Sequence, residues 1–171
     1  EISKTKAEKF LWEYIESLND NEKIEVCAIN PVLVVGPSLS DSVSISNRIA
    51  IKKMLTGSIP FNPKLSVSVV DVKDVAWAHI KAMKEKNAAG KRFLLSEKTV
   101  WFSDISNILY ENGFKKVPRY TAPNWLIKFL SIFISSLRMA VERLGEKEIL
   151  HTNNARNILK WEPNTVDQAI V

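Results

Sequence analysis

One stretch constrains this chain more than any other: residues 24–36, Ile-Glu-Val-Cys-Ala-Ile-Asn-Pro-Val-Leu-Val-Val-Gly, are almost continuously apolar and rich in β-branched side chains. A strand with one wet face alternates polar and apolar, whereas a strand covered on both faces by helices does not. The run therefore predicts a buried strand of a parallel sheet. Proline lacks the amide that a ladder needs, so the strand is expected to end at Asn30-Pro31. Before it, from Lys4 to Leu18, the apolar residues Ala7, Phe10, Leu11, Tyr14, Ile15 and Leu18 keep the spacing of one helical face, and Asn19-Asp20-Asn21 ends the helix. A helix running into a buried strand points to an α/β fold, whose ligand crevice lies beyond the strand's carboxyl end, here residues 30–37.

The remaining chain continues in the same style. Ser44 to Leu55 reads as a helix closed by Gly57, and Ser66 to Val72 as a short strand. Asp74 is expected to cap a helix reaching Lys84, with Val75, Ala78, Ala82 and Met83 as its apolar stripe and Asn87 to Gly90 as the turn after it. Arg92 to Leu95 reads as a strand. A helix capped by Thr99 or Ser103 and carrying Ile105, Ile108 and Leu109 stops at Gly113. Residues 124–144 read as one long helix, and Asn153 to Leu159 as a shorter one leading to Trp161-Glu162-Pro163.

The stretch from Trp125 to Ile134 is apolar nearly all round, so as a helix it must bury more than one face. Lys128 and Arg138 bracket only about nine residues, short of the roughly 20 that a membrane span needs. That leaves a core or pocket-wall helix, or a peripheral membrane or subunit contact through residues 125–137. A chain of 171 residues with 46% hydrophobic and 25% charged residues can bury a core. Its 24 Lys and Arg against 19 Asp and Glu are scattered, without the clustered basic stripe of a nucleic-acid binder. The single cysteine, Cys27, excludes an internal disulfide or a cysteine-based metal site. A reducing, cytoplasmic setting is expected, with no secretory leader in the charged first residues. Glu1-Ile2-Ser3 offers no initiator Met or cap, and both ends read as cut from a longer chain.

Lys4 falls on the apolar face of the first helix, within the arc of Ala7, Leu11, Ile15 and Leu18. A lysine there either snorkels from a ragged helix start or serves chemistry. Ser3-Lys4-Thr5-Lys6-Ala7-Glu8-Lys9, followed by Trp12, resembles the segment around the Y-x-x-x-K pair of the extended short-chain dehydrogenases. Further segments match in order: residues 29–37, with Asn30-Pro31 and Gly36-Pro37; Val70-Asp71-Val72-Lys73-Asp74-Val75-Ala76, with His79 after it; residues 92–97; residues 101–105; and residues 159–163. The chain thus resembles the dihydroflavonol-reductase-like branch of that family, in the NAD-dependent epimerase/dehydratase superfamily.

The resemblance implies a division into 1–37, the end of a Rossmann-type doubly wound parallel sheet, and 38–171, a smaller and mostly helical substrate-binding region. Residues 66–86 and 151–171 would pack back on the Rossmann part. It implies reduction of an aldehyde or ketone with NADPH, or NADH, as cofactor. Lys4 is then the lysine of the pair, and its tyrosine, the general acid, is expected immediately before Glu1. A cation nearby favours the phenolate and lowers the tyrosine pKa. Pro31 and Val34 would meet the nicotinamide, and Ser46, with Ser44 as the alternative, the cofactor phosphates. Asp71 and Asp74 read as loop anchor and cap, not as a catalytic pair, and His79 and His151 read as packing. No G-x-x-G-x-x-G turn for the pyrophosphate occurs among the five glycines, so the chain by itself is expected to be inactive. Rival readings are a 3β-hydroxysteroid dehydrogenase or sugar-nucleotide epimerase of the same superfamily, or a non-catalytic interaction domain. A small carbonyl compound and a second copy of the chain, forming a homodimer, are the expected partners.

Overall fold

The apolar run forms two short strands rather than one. In a computed structural model that describes residues 2–37 and 52–171, β1 (Ala28–Pro31) and β2 (Leu33–Val35) are separated by Val32. Each takes its own partner: β1 pairs in parallel with β4 (Arg92–Leu95), placing Ile29 opposite Phe93, and β2 pairs in parallel with β3 (Ser66–Asp71), placing Val34 opposite Val70. β5 (Lys98–Trp101) runs antiparallel to β3, so the second sheet has the order β2-β3-β5. Proline ends the first ladder as expected, although it keeps a place within it. As the last residue of β1 it forfeits one donor, and Val32 then donates its amide to the Leu95 carbonyl at 3.1 Å as the chain changes sheets.

Full burial on both faces belongs to β3 instead. Val69 feeds a core cluster with Val35, Met54, Val100, Ile105 and Leu109, and its neighbour Val70 feeds another with Ala78, Phe93, Leu95, Leu159 and Trp161. Within 24–36 only Val35 is fully buried, and residues 24–27 join no ladder. The reason lies at the edge of the sheet: β1 has one ladder partner among the described residues, and α1 (Ile2–Ser17) leaves Phe10 and Tyr14 of its apolar face in solvent.

α2 (Val72–Lys84) follows β3 without a loop. Its N-cap is Asp71, not Asp74: the Asp71 backbone is extended, and its Oδ1 accepts the Lys73 amide at 2.8 Å. Ala78 and Ala82 face the core as expected, whereas Met83 lies exposed. α3 (Phe102–Glu111) starts directly after β5, so Thr99 lies in the strand and Ser103 in the first turn of the helix; the Asp104 carboxylate takes the Trp101 amide at 2.9 Å. The long helix expected over 124–144 is two. α4 (Asn124–Phe133) ends where Ile134 turns to φ −113° and ψ 100°, and α5 (Ser135–Val141) follows. Arg138 folds back on the ended turn, donating to the carbonyls of Ser131 and Ile132 at 3.3 Å each, a favourable place for a cation. α6 (Asn153–Ile158) and a short α7 (Val166–Ile170), which has no periodic signal in the sequence, complete the chain. Of the helix expected over 44–55, residues 52–55 are helical and the rest lies outside the described residues.

Candidate functional site at the strand ends

The point where the chain changes sheets is tied to the first helix by one carboxylate. Glu8, on α1, accepts from Asn30 Nδ2 at 3.3 and 3.4 Å and pairs with Arg92 Nε at 2.7 Å. Asn30 is the penultimate residue of β1 and Arg92 the first of β4, so three elements meet on a side chain only 18% exposed. The hydrogen bond from Arg92 holds the Glu8 carboxyl below its usual range, against a burial effect that pushes it up. Lys4 lies one helical turn before Glu8, about 6 Å along the axis, so it shares that face of α1. It is exposed.

Pro31 is exposed at the end of β1, and Val34 is half-buried in β2. Ser46 and its alternative Ser44 lie outside the described residues. Beyond Val34 the chain turns at Gly36, whose φ of +134° suits glycine alone, and a Cβ there would stand 2.7 Å from Val72 Cγ1. Glycine therefore lets the strand-end loop lie directly against the start of α2.

A groove of about 310 Å³ opens beside the sheet change, between Val32, Leu33, Ser66 and Ser68 on the strands and Arg143 and Glu146 on a strap from 143 to 150. Gly145 donates its amide to Lys64 O at 2.8 Å, Ser66 Oγ donates to Glu146 O at 2.9 Å, and Arg143 pairs with Glu148 at 2.8 Å. The floor is thus partly apolar and the strap carries charge.

Other sequence candidates sit elsewhere. Asp71 and Asp74 clamp Asn164: Asp74 Oδ2 accepts its amide at 2.7 Å, while its Nδ2 donates to Asp71 Oδ2 at 3.1 Å and Asp74 Oδ1 at 3.3 Å. Burial pushes the Asp74 carboxyl up, partly offset by the Asn164 amide. These carboxylates fasten the C-terminal segment and are spent structurally. His79 and His151 are not packed but exposed, His79 sharing a hydrogen with Val75 O at 2.8 Å. Burial pushes the Cys27 thiol up, the wrong direction for a nucleophile. Among the described residues no group of three His, Cys, Asp or Glu could hold a metal. The Glu8 clamp was missed from sequence. Its only trace there is the position of Glu8 four residues after Lys4; nothing marks Arg92 as its partner.

This arrangement of strands and helices occurs in solved enzymes. Yeast methylglyoxal/isovaleraldehyde reductase, solved with NADPH, superposes with a TM-score of 0.72 and 25% identity over 96% of this chain and 50% of the other. UDP-glucose 4-epimerase from Thermotoga maritima shares the fold, with a TM-score of 0.68 and 21% identity over 99% of this chain and 50% of the other. No family model matches the chain. Its fold and sequence are those of the extended short-chain dehydrogenases/reductases in the NAD-dependent epimerase/dehydratase superfamily. In sequence the chain is 34% identical over 115 residues to NADPH-dependent methylglyoxal reductase of Saccharomyces cerevisiae, and 36% identical over 110 residues to a cinnamoyl-CoA reductase of Medicago truncatula. The sequence matches take in 64% of this chain but 34% and 32% of those relatives. The chain spans about half the length of the two solved enzymes.

Proposed function

We propose that the chain is the catalytic-helix and substrate-binding part of an NADPH-dependent reductase of aldehydes or ketones. The observation that carries the reading is the 34% identity to NADPH-dependent methylglyoxal reductase. The Glu8 clamp supports it, since it holds the helix of Lys4 to the strand end that carries Pro31. In this reading residues 1–37 end the cofactor domain and 38–171 form mainly the substrate region. The residues present suit the nicotinamide end of the cofactor: Pro31 and Val34 offer an apolar surface to an uncharged ring, and Ser46 a hydroxyl for phosphate. Bound NADPH would supply the hydride. The Lys4 ammonium would hold the ribose hydroxyls and favour the ionised form of a tyrosine one turn upstream, placed just before Glu1, which gives its proton to the carbonyl oxygen. Arg143, Ser66 and the groove floor would orient the carbonyl compound.

The test follows NADPH consumption with methylglyoxal and a cinnamoyl-CoA thioester, and isomerisation of a UDP-sugar by chromatography, in a protein that carries this chain together with an upstream Gly-rich phosphate turn. Aldehyde reduction that falls by roughly 100-fold or more in Lys4→Met supports the reading. Turnover of the sugar nucleotide alone, or full activity in Lys4→Met, would sink it.

A further inference from the structure

We propose that the outer face of α4 docks on an anionic membrane surface. Trp125, Phe129, Ile132 and Phe133 are 69%, 55%, 63% and 73% exposed. Their spacing sets them within an arc of about 100° on one side of the helix. Ile127, at 1% exposure, anchors the opposite side in the body of the protein. The segment leading into α4 is also fixed, because the Asn62 amide donates to Tyr120 O at 2.7 Å and the Ala122 amide to Asn62 O at 2.8 Å. A rigid, aromatic-rich stripe on an amphipathic helix has the form of an interfacial element. Among the described residues no helix is long and apolar enough to cross a membrane, so contact would be from one side.

Charge selects the occupant. From Asn112 to Val141 the chain holds five cations, Lys115, Lys116, Arg119, Lys128 and Arg138, and no Asp or Glu. Elsewhere the 19 remaining Lys and Arg equal the 19 Asp and Glu, so this segment accounts for the whole formal net charge of +5. Lys128 lies beside the stripe on α4, and Arg138 is held against its last turn through the Ser131 and Ile132 carbonyls. Apolar side chains flanked by Lys128 and Arg138 complement acyl chains beneath anionic headgroups. A symmetric pairing of two copies through this face would instead bring like charges together.

The experiment mixes the full protein that carries this chain with vesicles of phosphatidylcholine alone or with phosphatidylglycerol added, and measures the sedimented fraction. Binding is expected to the anionic vesicles, to weaken with salt, and to fall by roughly tenfold or more in Trp125→Ser/Phe133→Ser. Lys128→Glu, which leaves the stripe intact, should lower it by roughly fivefold or more. Circular dichroism verifies that each variant stays folded. No binding to anionic vesicles overturns the proposal, and so does binding that the variants leave unchanged. So does a dimer in analytical ultracentrifugation that Trp125→Ser/Phe133→Ser dissociates, which would assign the face to a second copy. Aldehyde reduction is read separately and does not bear on the outcome.

Discussion

Replacing Gly36 with alanine tests whether the strand-end loop is held as tightly as its geometry demands. Two costs arise. At φ +134° a residue with a Cβ is strained, by an amount on the order of 1–3 kcal/mol. The new methyl would also stand 2.7 Å from Val72 Cγ1 and 3.4 Å from Asp71 Oδ1. Valine is stiff about χ1, and Val72 opens α2 directly after the capping Asp71, so neither can retreat freely. Overpacking of this kind costs about 1–3 kcal/mol, which gives a total of roughly 2–6 kcal/mol when the backbone share is included. Urea unfolding should show a lower midpoint at an unchanged slope. Gly36→Ala/Val72→Ala removes the collision and keeps the backbone strain, so it should recover about 1–3 kcal/mol relative to the single variant. A loss within about 0.5 kcal/mol for Gly36→Ala, the level of an ordinary surface substitution, would refute the close approach. Failure of Val72→Ala to restore anything would refute the assignment of the clash.

Glu8 should matter in acid. Its carboxyl is held low by Arg92, so the unfolded chain binds the extra proton first; the stabilisation is present above the ordinary carboxylate range and is lost as pH falls through the native pKa. Arg92 is 62% exposed, which limits the effect to about 0.2–1 kcal/mol; Glu8→Gln and Arg92→Ala should each remove it from a stability profile against pH. Asp74 and Glu97 carry the opposite sign. Burial pushes both carboxyls up, so the native state keeps its protons longer and stability declines as pH rises from the ordinary carboxylate range through the raised values. Asp74→Asn and Glu97→Gln should flatten that decline, and an unchanged profile would refute the assignment. Trp161, 1% exposed with its Nε1 donating to Asp74 O at 3.3 Å, should cost about 3–5 kcal/mol as Trp161→Ala, measured by denaturant unfolding.

What the sequence makes legible is what depends on near neighbours. The α/β order, the strand at Ser66, the helix to Lys84 and the breaks at Gly57 and Gly113 follow from local pattern and turn chemistry. The misreadings have tertiary causes. Asp71 and Asp74 both carry a carboxylate suited to a cap, and the choice falls to Asp71 because β3 runs into α2 without a loop, while Asn164, some ninety residues away, claims Asp74. The stretch from Trp125 to Ile134 is apolar nearly all round, and periodicity does not register that the chain turns at Ile134 and that Arg138 closes the broken end.

The candidate site divides the same way, and the division explains why a motif alone underdetermines it. Lys4 and Pro31 are each legible by resemblance, one on a helix and one at a strand end, but the proposed reaction would need them held in one frame. The connection runs through Glu8 to Asn30, 22 residues on, and to Arg92, 84 residues on. On the proposed function, Glu8→Gln should weaken aldehyde reduction in the complete protein even where folding is unchanged, with Arg92→Lys a partial substitute because lysine keeps the charge but lacks the Nε–H that Arg92 donates to Glu8 Oε1. Full activity in Glu8→Gln would show that the frame is held by contacts other than the clamp.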